Sequence, residues 1–266
     1  MMIDTISLFQ NSIIAIFLLS IAVAIVGSLM LINRYQYIAA SIAHGSYGGI
    51  GLALYFGFSI LFGTTLFALF LAILLAFITY KNPQRKDVLI GTIWAVGMSI
   101  GIIFVDLTPG YNVDLMSFLF GDILLVPKED LFYMFFVDIV LILSIFLFYN
   151  IFILIAYDRD FAYLRGVNVK LFHIFLLSLI ALTVVMSIRS VGLILVIALF
   201  SIPPFIAEKF TNSLKNMMIL SGILTMLFCY SGLYISYILN ISTTAVIILI
   251  SALALGFSIS ELPNRY

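Results

Sequence analysis

The sequence predicts an all-α, polytopic transmembrane helical bundle of about eight or nine spanning helices. Three observations carry this. Of the 266 residues, 64% are hydrophobic and only 9% are charged, against about 25% charged in an ordinary soluble domain. Mean hydropathy is +1.28, and a chain of this composition cannot cover a globular surface with polar groups. Apolar runs long enough to cross the hydrocarbon core, about 20 residues as a helix, recur from end to end. They lack the alternation of a membrane β-barrel. Helices keep every backbone N–H and C=O satisfied inside lipid.

Nine candidate segments follow in order: 11–32, 38–56, 58–80, 88–106, 131–156, 171–188, 191–207, 217–239 and 245–259. The first is a retained span rather than a leader. Residues 1–10 contain Asp4 but no Lys or Arg, the apolar run is too long for a signal core, and no small-residue cleavage site follows it. Only Arg189 and Ser190 separate the sixth and seventh segments, which therefore read either as two spans or as a re-entrant, broken pair. The last segment is short, and eight versus nine spans stays open. VDLMSFLFGDILL, 113–125, is too short to span and suits an interfacial or re-entrant helix. Residues 1–266 read as a single transmembrane domain.

Charge orients the bundle. With the N-terminus outside, Arg34, Lys81, Arg85, Lys86, Arg159, Arg165, Lys170, Lys209, Lys215 and Arg265 fall inside, and only Lys128 and Arg189 fall outside. That bias follows the positive-inside rule and puts the C-terminus in the cytoplasm. The net charge of zero points to no nucleic-acid partner. The single cysteine, Cys229, sits in an apolar run and reads as a free core thiol.

Ionisable residues inside the membrane are functional candidates. His44 lies among Ala39, Ala40, Ser41, Ala43, Gly45, Ser46, Gly48 and Gly49. Small neighbours let helices approach closely and leave room beside an imidazole. That imidazole reads either as a ligand for a borderline transition metal or as a hydrogen-bonded packing residue. Asp138 can face a polar cavity or pair with a cation. His173, beside Lys170, reads as an interfacial residue. No P-loop or H-E-x-x-H is present, so the chain reads as a transport subunit rather than an enzyme.

The loop YDRDFAYLRGVNVK, 157–170, is charged and helix-competent, and Gly166 reads as a helix stop. Ala162 and Gly166 are four apart, so on one short helix they share a small face suited to a partner's groove. The alternative is a solvated loop.

Taken in order, these stretches resemble the permease subunit of bacterial ABC importers for zinc, manganese and iron chelates. The resemblance covers about 11–259. It rests on SIAHGSYGGIGLALYFG from Ser41, GTIWAVGMSIG from Gly91, DLMSFLFGDILLV from Asp114, the D-x-[DE]-x-A-x-x-x-G match in the 157–170 loop, TVVMSIRSVGLILVIALFSIPPFIA over 183–207, and SLKNMMILSG from Ser213. It implies a multi-pass protein of the bacterial plasma or inner membrane. It also implies a homodimeric permease, a separate cytoplasmic ABC ATPase and an extracytoplasmic metal-binding protein. No cofactor is bound stably; the divalent metal passes transiently. Asp158, Asp160, Ala162 and Gly166 match the motif that docks on the ATPase. The family's second helix usually carries Asp-x-x-x-His, but here Ala40 stands four before His44. Metal passage then falls to His44 alone, to Asp138 or Asp106, or to backbone groups. Pro203–Pro204 agrees with the family's kink.

Three other readings compete. A secondary transporter would use an ion gradient with Asp138 and His44. Permeases for siderophores, haem or cobalamin usually have longer chains with ten spans. A structural membrane anchor would not need the 157–170 loop.

Overall fold

The computed structural model describes residues 2–81, 86–109, 121 and 123–260, and among these it is helical with no strand. The first helix, α1 (Met2–Ala22), passes through a π-helical turn at Val23–Gly27 into α2 (Ser28–Asn33). The second apolar segment is two helices, α3 (Gln36–Gly45) and α4 (Tyr47–Phe56), broken at Ser46. Then come α5 (Ile60–Lys81), α6 (Lys86–Asp106), α7 (Lys128–Tyr157), the short α8 (Arg159–Leu164) and α9 (Val169–Val191). The chain closes with α10 (Leu193–Phe210), α11 (Leu214–Leu239) and α12 (Thr243–Ser260).

Among the described residues, eight helices are long and apolar enough to cross a membrane. The broken α3–α4 segment stands beside them, so each of the nine expected segments is helical. Polar caps set several ends. The Ser213 hydroxyl accepts from the Asn216 N–H at 3.3 Å at the start of α11, and Asn240 closes that helix in the left-handed conformation at φ 55°. Of the 113–125 stretch, Gly121 and a 3₁₀ turn at Ile123–Leu125 are described; the expected helix over 113–120 lies outside the described residues.

The boundary expected at Arg189 and Ser190 is corrected. Both residues lie in the last turn of α9, and the chain breaks at Gly192, at φ 78°. The segments on either side are helices of 23 and 18 residues, each long and apolar enough to cross a membrane. The difference has a physical cause: a charge reads as punctuation in a sequence, but the Arg189 charge is paired.

Two compact units divide the chain. One comprises Met1–Ile32, Met116–Leu143 and Arg189–Tyr266, and the other Asn33–Leu115 and Ser144–Ile188. In the first, Arg189 Nη2 lies 2.9 Å from Asp130 Oδ1, and its Nε–H donates to the same carboxylate. Asp130 sits in the first turn of α7 and Arg189 in the last turn of α9, where the helix dipoles favour each charge. Gly121 meets Gly192 back to back: a Cβ on Gly121 would lie 2.2 Å from the Gly192 nitrogen. Both glycines have positive φ, so neither position readily takes a side chain.

Proline changes α10 without ending it. Pro203 and Pro204 are buried within the helix. Pro204 has no N–H, which removes the bond to the Phe200 carbonyl. That carbonyl and the Pro204 ring lie against Gly27, where a Cβ would meet the ring at 2.8 Å. Cys229 is a buried free thiol.

In the second unit, glycines bring α3 and α4 onto α6. A Cβ on Gly97 would lie 2.6 Å from the Gly45 Cα, and one on Gly51 would lie 2.3 Å from the Gly101 carbonyl oxygen. Backbones at this distance gain close packing and exclude larger residues. Rings of Phe148, Phe152, Phe172 and Phe175 pack α7 against α9, edge-on or stacked at 5.3 to 6.5 Å. Elsewhere the exposed helix faces are apolar, with Phe136 and Phe146 on α7 as examples. Lipid solvates such faces, so they need no protein cover.

Candidate functional site

His44 lies in the last turn of α3, two residues before the break at Ser46. Its ring is half-buried and stacks on the Trp94 indole, with centroids 3.9 Å apart and planes 29° apart. The backbone carbonyl of Ala40 accepts from His44 Nδ1 at 2.9 Å. A carbonyl cannot donate, so Nδ1 carries the proton and the neutral ring presents a lone pair on Nε2. The position that lacks the family's carboxylate therefore still orients the imidazole, through its main chain. Trp94 is held in turn, its Nε1–H donating to Met98 Sδ at 3.2 Å.

Asp138 lies in the other unit, on α7, and is 2% exposed. Among the described residues neither of its carboxylate oxygens has a hydrogen-bond partner. Asp106 is exposed at the end of α6. Among the described residues, no group of three His, Cys, Asp or Glu side chains can hold a metal ion.

The 157–170 loop folds on its own terms. Asp158 caps α8, its Oδ1 accepting from the N–H groups of Asp160 at 3.0 Å and Phe161 at 2.9 Å. Ala162 is fully buried with Ile155 and Val169. The helix ends at Leu164, so Gly166, at φ 81°, is its stop and not part of its face. The shared Ala162–Gly166 face expected from their spacing is thus replaced by a different surface. Among the loop's large hydrophobic residues, Tyr157, Tyr163 and Leu164 are the most exposed, at 89%, 71% and 81%.

His173 lies near the same loop. Read as an interfacial residue, it nonetheless has a ring buried within the protein, 6% exposed and bonded at both nitrogens. Tyr35 Oη lies 2.8 Å from Nδ1, and Thr79 Oγ1 lies 3.1 Å from Nε2. Arg159, the first residue of α8, donates from Nη2 to Tyr35 Oη at 2.6 Å. Burial holds the Tyr35 hydroxyl above its ordinary pKa, against the opposing pull of Arg159, so the hydroxyl keeps its proton.

The match to known proteins is as broad as the fold suggests. The model of the ABC 3 transport family matches residues 5–260. The chain belongs to the ABC 3 transport family. This ABC 3 family chain is 43% identical over 251 residues to an uncharacterized membrane protein of Synechocystis sp., covering 94% of this chain and 89% of that one. It is 31% identical over 256 residues to the manganese import system permease protein ScaB of Streptococcus parasanguinis, covering 96% and 91%. Among solved structures it resembles PsaBC from Streptococcus pneumoniae in complex with Fab. There the TM-score is 0.85 at 27% identity, over 99% of this chain and 97% of that one. It is a multi-pass membrane protein of the bacterial cell membrane.

Trp94, Tyr35 and Thr79 escaped the sequence reading. Trp94 left a signal, as the chain's one tryptophan inside a stretch already singled out. Tyr35 and Thr79 left none, because their partner at His173 is 138 and 94 residues away.

Proposed function

We propose that this chain is the permease subunit of an ATP-driven importer for a divalent transition metal ion, with manganese as the first cargo to test. The observation that carries the reading is the near full-length likeness to the ScaB manganese permease. The half-buried imidazole of His44, with its Nε2 lone pair free of a described hydrogen bond, supports it.

In this reading two copies pair around the conduit, with the N-terminus outside and the C-terminus in the cytoplasm. An extracytoplasmic metal-binding protein delivers the ion, and a separate cytoplasmic ATPase drives the cycle. The 157–170 loop is the contact with that ATPase. Asp158 and Asp160 begin its short helix, buried Ala162 and Gly166 hold its shape, and Tyr163 and Leu164 supply the exposed apolar surface. Closure of the ATPase biases the bundle between two states, the physical content of alternating access. With Ala40 in place of a carboxylate, His44 offers the ion a neutral donor, and weak binding favours release onward.

The test is manganese uptake into proteoliposomes. The chain with its ATPase and metal-binding protein takes up manganese only with ATP, and the chain alone takes up none. Gradient-driven uptake by the chain alone would instead establish the secondary transporter built on Asp138 and His44. Changing His44→Ala lowers coupled uptake by about tenfold at unchanged expression, the scale of losing one well-placed ligand or its support. Undiminished uptake would leave His44 as a packing residue.

A further inference from the structure

We infer that Arg159, Tyr35, His173 and Thr79 form a one-way hydrogen-bonded latch that ties the 157–170 loop to the helix bearing His44. The inference rests on the proposed docking of that loop on an ATPase. Four elements meet here: the first residue of α8, the residue just before α3, the first turns of α9 and the last turn of α5.

Donor counting sets the direction. A guanidinium only donates, so Arg159 gives to Tyr35 Oη at 2.6 Å. The tyrosine has one proton, and it goes to His173 Nδ1 at 2.8 Å. The neutral ring then carries its own proton on Nε2, which donates to Thr79 Oγ1 at 3.1 Å. The Thr79 proton goes to the Leu75 carbonyl at 2.6 Å. With the imidazole proton on Nδ1 instead, the Tyr35 hydroxyl would lose the acceptor that its proton has here. Tyr35, His173 and Thr79 are 5%, 6% and 8% exposed, so such a loss would not be made good by water.

The latch has one accessible end. Arg159 is exposed, and the other three side chains are not. Moving α8 therefore acts on Tyr35 first, and Tyr35 opens α3. A helix rises about 1.5 Å per residue, which puts His44 about 13 Å further along the same rod. The break at Ser46 ends that rod two residues beyond His44, so α3 can shift as a short rigid piece. The four residues are positioning residues: none is placed on the metal, and they act through α3.

The experiment reads the ratio of manganese taken up to ATP hydrolysed in the reconstituted complex of permease, ATPase and metal-binding protein. Tyr35→Phe keeps the ring and removes the hydroxyl; Arg159→Gln removes the charge at an exposed position where folding is not at stake. Each lowers the ratio by about tenfold, a scale ordinary for coupling between sites, and Tyr35→Phe, a buried change outside the docking loop, leaves hydrolysis within about twofold of wild type. Arg159→Lys restores most of it. The double variant Tyr35→Phe/Arg159→Gln is no worse than the worse single, because both cut one chain. A ratio unchanged in both single variants overturns the latch, as do additive losses in the double. If the wild-type complex transports without its ATPase, the importer reading fails before the latch is tested. If wild type is coupled and both single variants stay coupled, the latch alone fails.

Discussion

In one unit a buried carboxylate, Asp130, is met by a guanidinium; in the other a buried imidazole, His173, is met by hydroxyls. The two clusters solve the same problem, polar atoms away from water, by different means. Asp130 and Arg189 carry full opposite charges at helix ends whose dipoles favour them. Neither can leave without stranding the other, so the pair behaves as a fixture. In the His173 cluster the only formal charge, on Arg159, sits at the exposed end. Each of its bonds is an ordinary hydrogen bond, and one can be exchanged without stranding a buried charge. The contrast separates a pair held by opposite charges from a chain held by hydrogen bonds.

Breaking the fixture gives the largest expected effect. Asp130→Asn leaves the Arg189 charge without its counterion and lowers stability by about 3–5 kcal/mol. Thermal denaturation in detergent checks this. The double change Asp130→Leu/Arg189→Met recovers much of the loss, because no charge is then left alone; no recovery would mean the pair matters for something other than its charge.

Next is the backbone contact between α4 and α6. Gly51→Leu puts a Cβ 2.3 Å from the Gly101 carbonyl oxygen and costs about 1–3 kcal/mol or more by forcing α4 from α6. Trp94, the single tryptophan, reports it through a changed fluorescence spectrum. Gly91 on the same α6 has open space where a Cβ would stand, so Gly91→Ala leaves that spectrum unchanged.

Smaller effects sharpen the hydrogen-bonded side of the comparison. Asp158→Ala removes the cap of α8 and costs about 1 kcal/mol, confined to the loop and visible as faster amide exchange at Asp160 and Phe161. Leu164→Ser, at an exposed site, changes stability by no more than about 0.5 kcal/mol. It should nevertheless weaken co-purification of the ATPase. Full co-purification would remove Leu164 from the docking surface.

The helices were legible because each carries its own signal, a long apolar run between polar residues. His44 was legible too, as a costly residue among small ones. The site around it was not. The ring that stacks on His44 comes from another helix, and the atom that orients it is the Ala40 carbonyl, which any residue type would supply. Spacing also misled at the loop. Four residues apart means one face only if the helix continues, and α8 ends before Gly166. At Arg189 a charge looked like a loop because a sequence does not display the partner 59 residues away.

By itself the sequence determined that this is a membrane helix bundle and where its segments lie, since composition and run length are local and the lipid environment leaves helices as their one economical conformation here. It also placed the histidine and the charged loop. Only the tertiary structure decided that Asp130 answers Arg189, that Gly121 answers Gly192, and that the loop touches the start of the histidine's helix through Tyr35. Those are pairings between distant positions, and their free energy exists only once both partners have been brought together.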